Sequence, residues 1–114
     1  MHELSVAMSL VQIAEAAARK AGASQVTVVY LRVGALSAVV PDALRFSFDI
    51  VADGTILAGA RLEIEELPVR VFCEYCVAEA DLPNPQIFCC PTCQRPTGRM
   101  VQGRELDLVS LEVS

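Results

Sequence analysis

The sequence predicts an α/β (α+β) fold: two helices packed on a small, mostly antiparallel three-stranded sheet, with a cysteine-bearing module inserted before the last strand. Three observations predict it. Two stretches repeat apolar residues at helical spacing. Three others are rich in β-branched residues or alternate apolar with charged ones. Ahead of the last of these the composition changes abruptly: residues 72–98 hold all five cysteines and four of the six prolines, with few long aliphatics.

The elements follow in order. Residues 3–21 read as a helix, with Leu4, Ala7, Met8, Val11, Ala14 and Ala18 forming an apolar stripe widened by Leu10 and Ala17. Glu15 and Arg19 form an i,i+4 pair, and Gly22 after Arg19 and Lys20 is a stop signal. QVTVVYLRVG is a strand bounded by Gly34; both its faces are apolar, which predicts a central position. Pro41 and Asp42 open the second helix, PDALRFSFDIVADG, ending at Gly54. Its inner face is expected to carry Leu44, Phe48 and Val51, with Phe46 and Ile50 beside them. RLEIEELPVRVF alternates as a strand in which Leu62 and Ile64 share a face. Its phase breaks at Glu65–Glu66, where Leu67, Val69 and Val71 take over, so a bulge or bend is expected near Pro68. The cysteine stretch has too few aliphatics for a core of its own, and RELDLVSLEV then resumes strand character. Two units are expected: residues 1–69 plus 104–114, and an inserted module over 70–103.

Composition narrows the function. At 114 residues, 54% hydrophobic and with mean hydropathy +0.45, the chain can bury a core. A net charge of −5 and a pI near 4.7 argue against binding nucleic acid by phosphate neutralisation. No apolar run reaches the roughly 18 residues of a membrane span. The opening MHELS lacks the basic region of a secretory signal, so a cytoplasmic protein is expected. In a reducing compartment an odd number of cysteines is not a disulfide framework. Catalysis is not expected either. One histidine at the terminus forms no Ser/His/Asp set, and no GxxxxGK[ST] loop is present. Glu63 and Glu65 read as a solvated strand edge.

The cysteines carry the clearest chemistry. Cys73 and Cys76 form one CxxC, Cys90 and Cys93 another, with thirteen residues between Cys76 and Cys90. Two such knuckles brought together by a hairpin place four thiolates around one Zn²⁺. Buried structural cysteines and a redox dithiol are weaker readings, because redox CxxC motifs occur singly. A site closed by four sulfurs leaves no position for water, so the zinc is structural, and the module is zinc-ribbon-like. Cys89 would open the second knuckle by one residue and is left as a packed or half-exposed thiol.

His2, the sole histidine, stands beside the amino terminus. The α-amine, the His2 amide nitrogen and His2 Nδ1 can close adjoining five- and six-membered chelate rings. The fourth position is open to the Glu3 amide, the Glu3 carboxylate or a ligand from a partner. Such a nitrogen set favours square-planar Ni(II) or Cu(II) over tetrahedral zinc. The residues alone separate neither nickel from copper nor a metal site from an incidental terminal histidine.

Taken together, MHELSVAMSLVQ, RVGALSAVVPDALRFSFDIV, the CxxC…CPxC module and GRELDLVSLEV resemble, in order and over essentially the whole chain, the HypA/HybF-type nickel metallochaperones of hydrogenase maturation. The resemblance implies a nickel site at Met1, His2 and Glu3 and a zinc site at Cys73, Cys76, Cys90 and Cys93. It also implies delivery of nickel to the hydrogenase large-subunit precursor, cooperation with a HypB-type GTPase and, in some organisms, service to urease maturation. Nucleic acid and membrane partners are not implied. Many members have glycine directly after each CxxC, where this chain has Val77 and Gln94. The alternative is a zinc-ribbon protein-interaction adaptor that transports no metal.

Overall fold

A computed structural model describes residues 3–114. The elements are α1 (Glu3–Lys20), β1 (Val26–Gly34), α2 (Pro41–Ala52), β2 (Arg61–Leu67), β3 (Arg70–Cys73), β4 (Ala78–Asp81), β5 (Met100–Gln102) and β6 (Leu106–Val113). The first sheet has the order β2-β1-β6, so β1 is central as its two apolar faces predicted. The β1–β6 pair is antiparallel and the β1–β2 pair parallel, making the sheet mixed. The parallel pair follows from α2: a helical crossover returns the chain to the end from which β1 started.

Both helices share one apolar cluster with Val29, Leu31 and Val33 of β1. The opposite sheet face is open and charged. There Arg32 Nε donates to Glu65 Oε1 at 2.9 Å, Arg61 pairs with Glu63, and the Tyr30 hydroxyl donates to the Glu112 carboxylate. Glu63 and Glu65 are thus ion-paired on a solvated face, as expected of a strand edge.

The helices are rotated relative to the stripes read from spacing. In α1 the buried residues are Val6, Ala7, Leu10, Val11, Ala14 and Ala18, while Leu4 and Met8 are exposed. In α2 they are Leu44, Phe48 and Ala52; Val51 is half-buried, and Phe46 and Ile50 are exposed. Phe46 lies two residues from both Leu44 and Phe48, which turns it about 160° away from them on a helix of 3.6 residues per turn. An apolar-rich helix offers several candidate stripes, and the sheet beneath it selects one.

The segment read as one bent strand is two. β2 runs unbroken through Glu65 and Glu66 to Leu67, and Pro68 and Val69 then carry the chain to β3, which belongs to a second sheet of order β4-β3-β5. That module has a small core after all: Val69, Val71 and Leu82, with Leu36, Phe88 and Met100 packed against them. Leu36 comes from the loop after β1, so the core is partly borrowed across the junction. The junction is tightly bonded. Ala35 N–H donates to Leu67 O at 2.9 Å, Leu36 N–H to Gly103 O at 2.7 Å and Gly34 N–H to Glu105 O at 2.8 Å. A Cβ on Gly34 would stand 2.3 Å from the Gly103 carbonyl carbon and oxygen, so only glycine permits this approach.

Candidate metal centre

Cys73 ends β3 and Cys76 lies in the tight turn that leads to β4. The second knuckle is shaped by two backbone bonds: Cys90 N–H donates to Arg95 O at 2.9 Å, and Gln94 N–H to Cys90 O at 2.7 Å. These two turns bring the Sγ atoms of Cys73, Cys76, Cys90 and Cys93 within 4.8 Å of one another. Cys73 Sγ is 3.6 Å from Cys93 Sγ, and Cys76 Sγ 3.9 Å from Cys90 Sγ. A tetrahedron with zinc–sulfur bonds of about 2.3 Å has sulfur–sulfur edges of about 3.8 Å, so the donor set fits zinc. The contacts are far too long for disulfides. Cys89 stays outside the group, half-buried and bridged to Pro96.

The sulfurs are electrostatically uneven. Backbone N–H groups of Cys93 and Thr92 hold the Cys90 thiol down to about 6. The neighbouring Cys93 sulfur, with help from burial, pushes Cys76 up to about 12. The Cys76 N–H also points at Cys73 Sγ at 3.4 Å. Four adjacent sulfurs cannot all ionise alone, and a divalent cation among them removes that obstacle.

The turns exact a conformational cost that the spacing did not reveal. Val77 has φ +51° and Gln94 φ +64°, both in the left-handed region. Each follows directly on a CxxC, where the knuckle needs a conformation that glycine adopts freely. For other residues it costs roughly 1–2 kcal/mol, and a β-branched side chain fares worst. Val77→Gly is therefore expected to stabilise the zinc-loaded protein by about 1 kcal/mol, raising Tm by about 4 °C, with a smaller gain for Gln94→Gly. Thermal unfolding checks this; an unchanged or lowered Tm for both variants would remove the strain argument.

Two arginines brace the knuckles. The Arg95 guanidinium lies 4.1 Å from the centre of the Tyr75 ring, and that of Arg99 4.9 Å from the centre of Phe72. Stacking against their own module, rather than forming a separate basic patch, is what these two cations do.

Of the terminal residues expected to chelate a metal, Met1 and His2 lie outside the described residues. Glu3 opens α1, and its Oε1 accepts a long hydrogen bond, 3.4 Å, from Val40 N–H. Val40 precedes Pro41 at the start of α2 and offers no side-chain cap of its own. The Glu3 carboxylate therefore sits where a helix start favours negative charge, a role that local sequence could not reveal.

The HypA family, described as hydrogenase/urease nickel incorporation, metallochaperone, matches residues 1–113. This chain belongs to the HypA family. A hydrogenase maturation factor HypA from Chloroflexus aggregans is 60% identical over 112 residues, covering 98% of each chain. One from a Roseiflexus species is 56% identical over 98% of this chain and 91% of its own. Among solved structures, the solution structure of the Ni metallochaperone HypA from Helicobacter pylori aligns with TM-score 0.67 and 26% identity, covering 99% of this chain and 97% of that one. A second HypA solution structure aligns with TM-score 0.73 and 27% identity over 100% and 97%. The fold read from the sequence, two helices on a three-stranded sheet with a four-cysteine module, is thus the HypA fold. No helix among the described residues is long and apolar enough to cross a membrane.

Proposed function

We propose that this chain binds Ni(II) at Met1, His2 and Glu3 and delivers it to the hydrogenase large-subunit precursor, and that it is a carrier rather than an enzyme. The observation that carries this reading is the family match, which runs from residue 1 and so includes the Met-His-Glu start. The α-amine, the His2 amide and the His2 imidazole supply three in-plane nitrogens. The Glu3 carboxylate is already engaged with Val40 N–H, which favours the Glu3 amide or a partner's ligand as the fourth donor. Transfer proceeds by ligand exchange at the open faces of the square plane, an acceptor displacing the nitrogens one at a time.

Zinc belongs in this reading to Cys73, Cys76, Cys90 and Cys93, as a structural ion that keeps four thiolates ionised in one place. The two separate sheets support dividing the chain into 1–69 plus 104–114 and the module 70–103. A HypB-type GTPase, urease maturation in some settings and a cytoplasmic location complete the reading.

Metal analysis of untagged protein, wild type beside His2→Ala, with and without added nickel, tests it. The expected result is about one zinc per chain in both proteins, as a closed four-sulfur site holds one ion, and nickel in the wild type alone. Equal nickel in the two proteins would favour the adaptor reading.

A further inference from the structure

The outer surface of the α1–α2 pair exposes large apolar side chains that neither core absorbs. Leu4 is 49% exposed, Met8 48%, Phe46 70% and Ile50 56%. None of them joins either apolar cluster. They belong to one surface because the helices lie side by side and run in the same direction. At one end the Glu3 carboxylate meets Val40. At the other, Glu15 and Arg19 share a cleft of about 470 Å³ with Gly54 and Thr55, just past α2. Met8 is seven residues before Glu15 and eleven before Arg19, so it lies on the same flank of α1, the one turned toward α2. Phe46 and Ile50, one turn apart, crown α2.

The surface is also depleted of charge where a solvated helix normally carries it. From Leu4 to Ala14, α1 has no charged residue. Apolar residues with charge removed are the composition of an interface centre. Charge returns along one edge: Asp42, Asp49 and Asp53 follow the outer side of α2. Asp42 is engaged by Arg45 at 3.2 Å. Asp49 and Asp53 have no ion pair among the described residues.

We propose that this face docks a partner protein through an amphipathic segment, apolar at its centre and bearing lysine or arginine along the edge that meets Asp49 and Asp53. A second copy of the chain is the poorer occupant, since it brings the same aspartates and a further net charge of −5. The face begins one residue beyond Glu3, so a partner seated on it lies beside Glu3. That placement serves nickel transfer only if the nickel reading holds, whereas the docking itself does not depend on it.

The test uses the full zinc-loaded chain and a labelled amphipathic peptide of roughly 14 leucines and lysines, long enough to lay one helical face along a groove, with a leucine/glutamate peptide beside it. The leucine/lysine peptide is expected to bind, to shift amide resonances of α1 and α2, and to weaken with salt. Phe46→Ser combined with Ile50→Ser should reduce affinity about tenfold or more at unchanged Tm, because both side chains are exposed. Asp49→Asn combined with Asp53→Asn should reduce it severalfold and flatten the salt dependence. His2→Ala should leave peptide binding intact while removing nickel, which separates this proposal from the nickel reading. The proposal is overturned by absence of binding, by equal binding of the Phe46/Ile50 variant, by shifts on the open sheet face around Glu63 and Glu65, or by preference for the glutamate peptide. A wild-type dimer that Phe46→Ser dissociates also overturns it and assigns the face to a second copy.

Discussion

Replacing Cys73 with serine is expected to unfold the cysteine module while leaving the helices and the first sheet in place. The reason is where the stabilisation comes from. The apolar core around the module is small, with Val69, Val71 and Leu82 buried, each contributing roughly 1.5–3 kcal/mol at most. A structural zinc contributes about 10–16 kcal/mol to small domains of this kind. It must also hold Val77 and Gln94 in the left-handed region. Loss of one sulfur removes the closed coordination and leaves three thiols whose neighbours oppose their ionisation. By contrast, the cluster joining α1, α2 and β1 contains no cysteine and no residue of the module. Amide spectra of the variant should lose dispersion across residues 73–100 and keep it in α1 and β1. Bound zinc should fall to background. Cys89→Ser should do neither, since Cys89 lies outside the sulfur group. Zinc retained by Cys73→Ser, or lost by Cys89→Ser, would mean that the wrong sulfurs have been assigned.

What could be read from the sequence was what local chemistry decides. The doubled CxxC located the sulfur group, because two intervening residues make a turn whatever surrounds it. β1 was legible as a strand from its β-branched run, and it is central as expected, although only the face of Val29, Leu31 and Val33 is buried under the helices while Tyr30 and Arg32 occupy the open one. What escaped depends on partners distant in sequence. Apolar spacing marked α2 as amphipathic but placed Phe46 and Ile50 near its inner face, because only the position of the sheet decides which of several apolar rows is buried. The second sheet stayed hidden because β4 and β5 are short, and β4, Ala-Glu-Ala-Asp, has no apolar alternation. Its core is completed by Leu36, more than thirty residues before Val69. Gly34 resembled an ordinary strand end; its contact with Gly103 becomes visible only once both strands have crossed the junction. In the terminal site, chain order suggested three nitrogens, yet the hydrogen bond from Val40 to Glu3 required α2 to be in place.

Blocking the amino group of Met1 by acetylation is expected to lower nickel affinity by at least a hundredfold with His2 still present. The α-amine is a proposed ligand, and an acylated nitrogen is no longer a basic donor, so the five-membered chelate ring cannot close. Removing a partner outside the metal's own ligands already costs about 10–100-fold, and loss of a ligand should cost no less. Proton competition supplies an independent signature. Below the amine pKa of about 8, nickel must displace one proton from the amine and another from the His2 amide. Two displaced protons, and a third where the Glu3 amide is the fourth donor, predict that affinity falls at least a hundredfold per pH unit as pH drops from about 7.5 to 6.5. Below the imidazole pKa of about 6.5 a further proton steepens the fall. Acid therefore favours release, and the blocked protein should show a shallower dependence. Nickel titrations of both forms at several pH values measure the two slopes together. A carboxylate- or imidazole-bound nickel would lose tenfold or less over the same interval, since its donors displace at most one proton. If the blocked and free proteins traced the same curve, the amine would not be a ligand, and the terminal position of His2 would lose its chemical explanation.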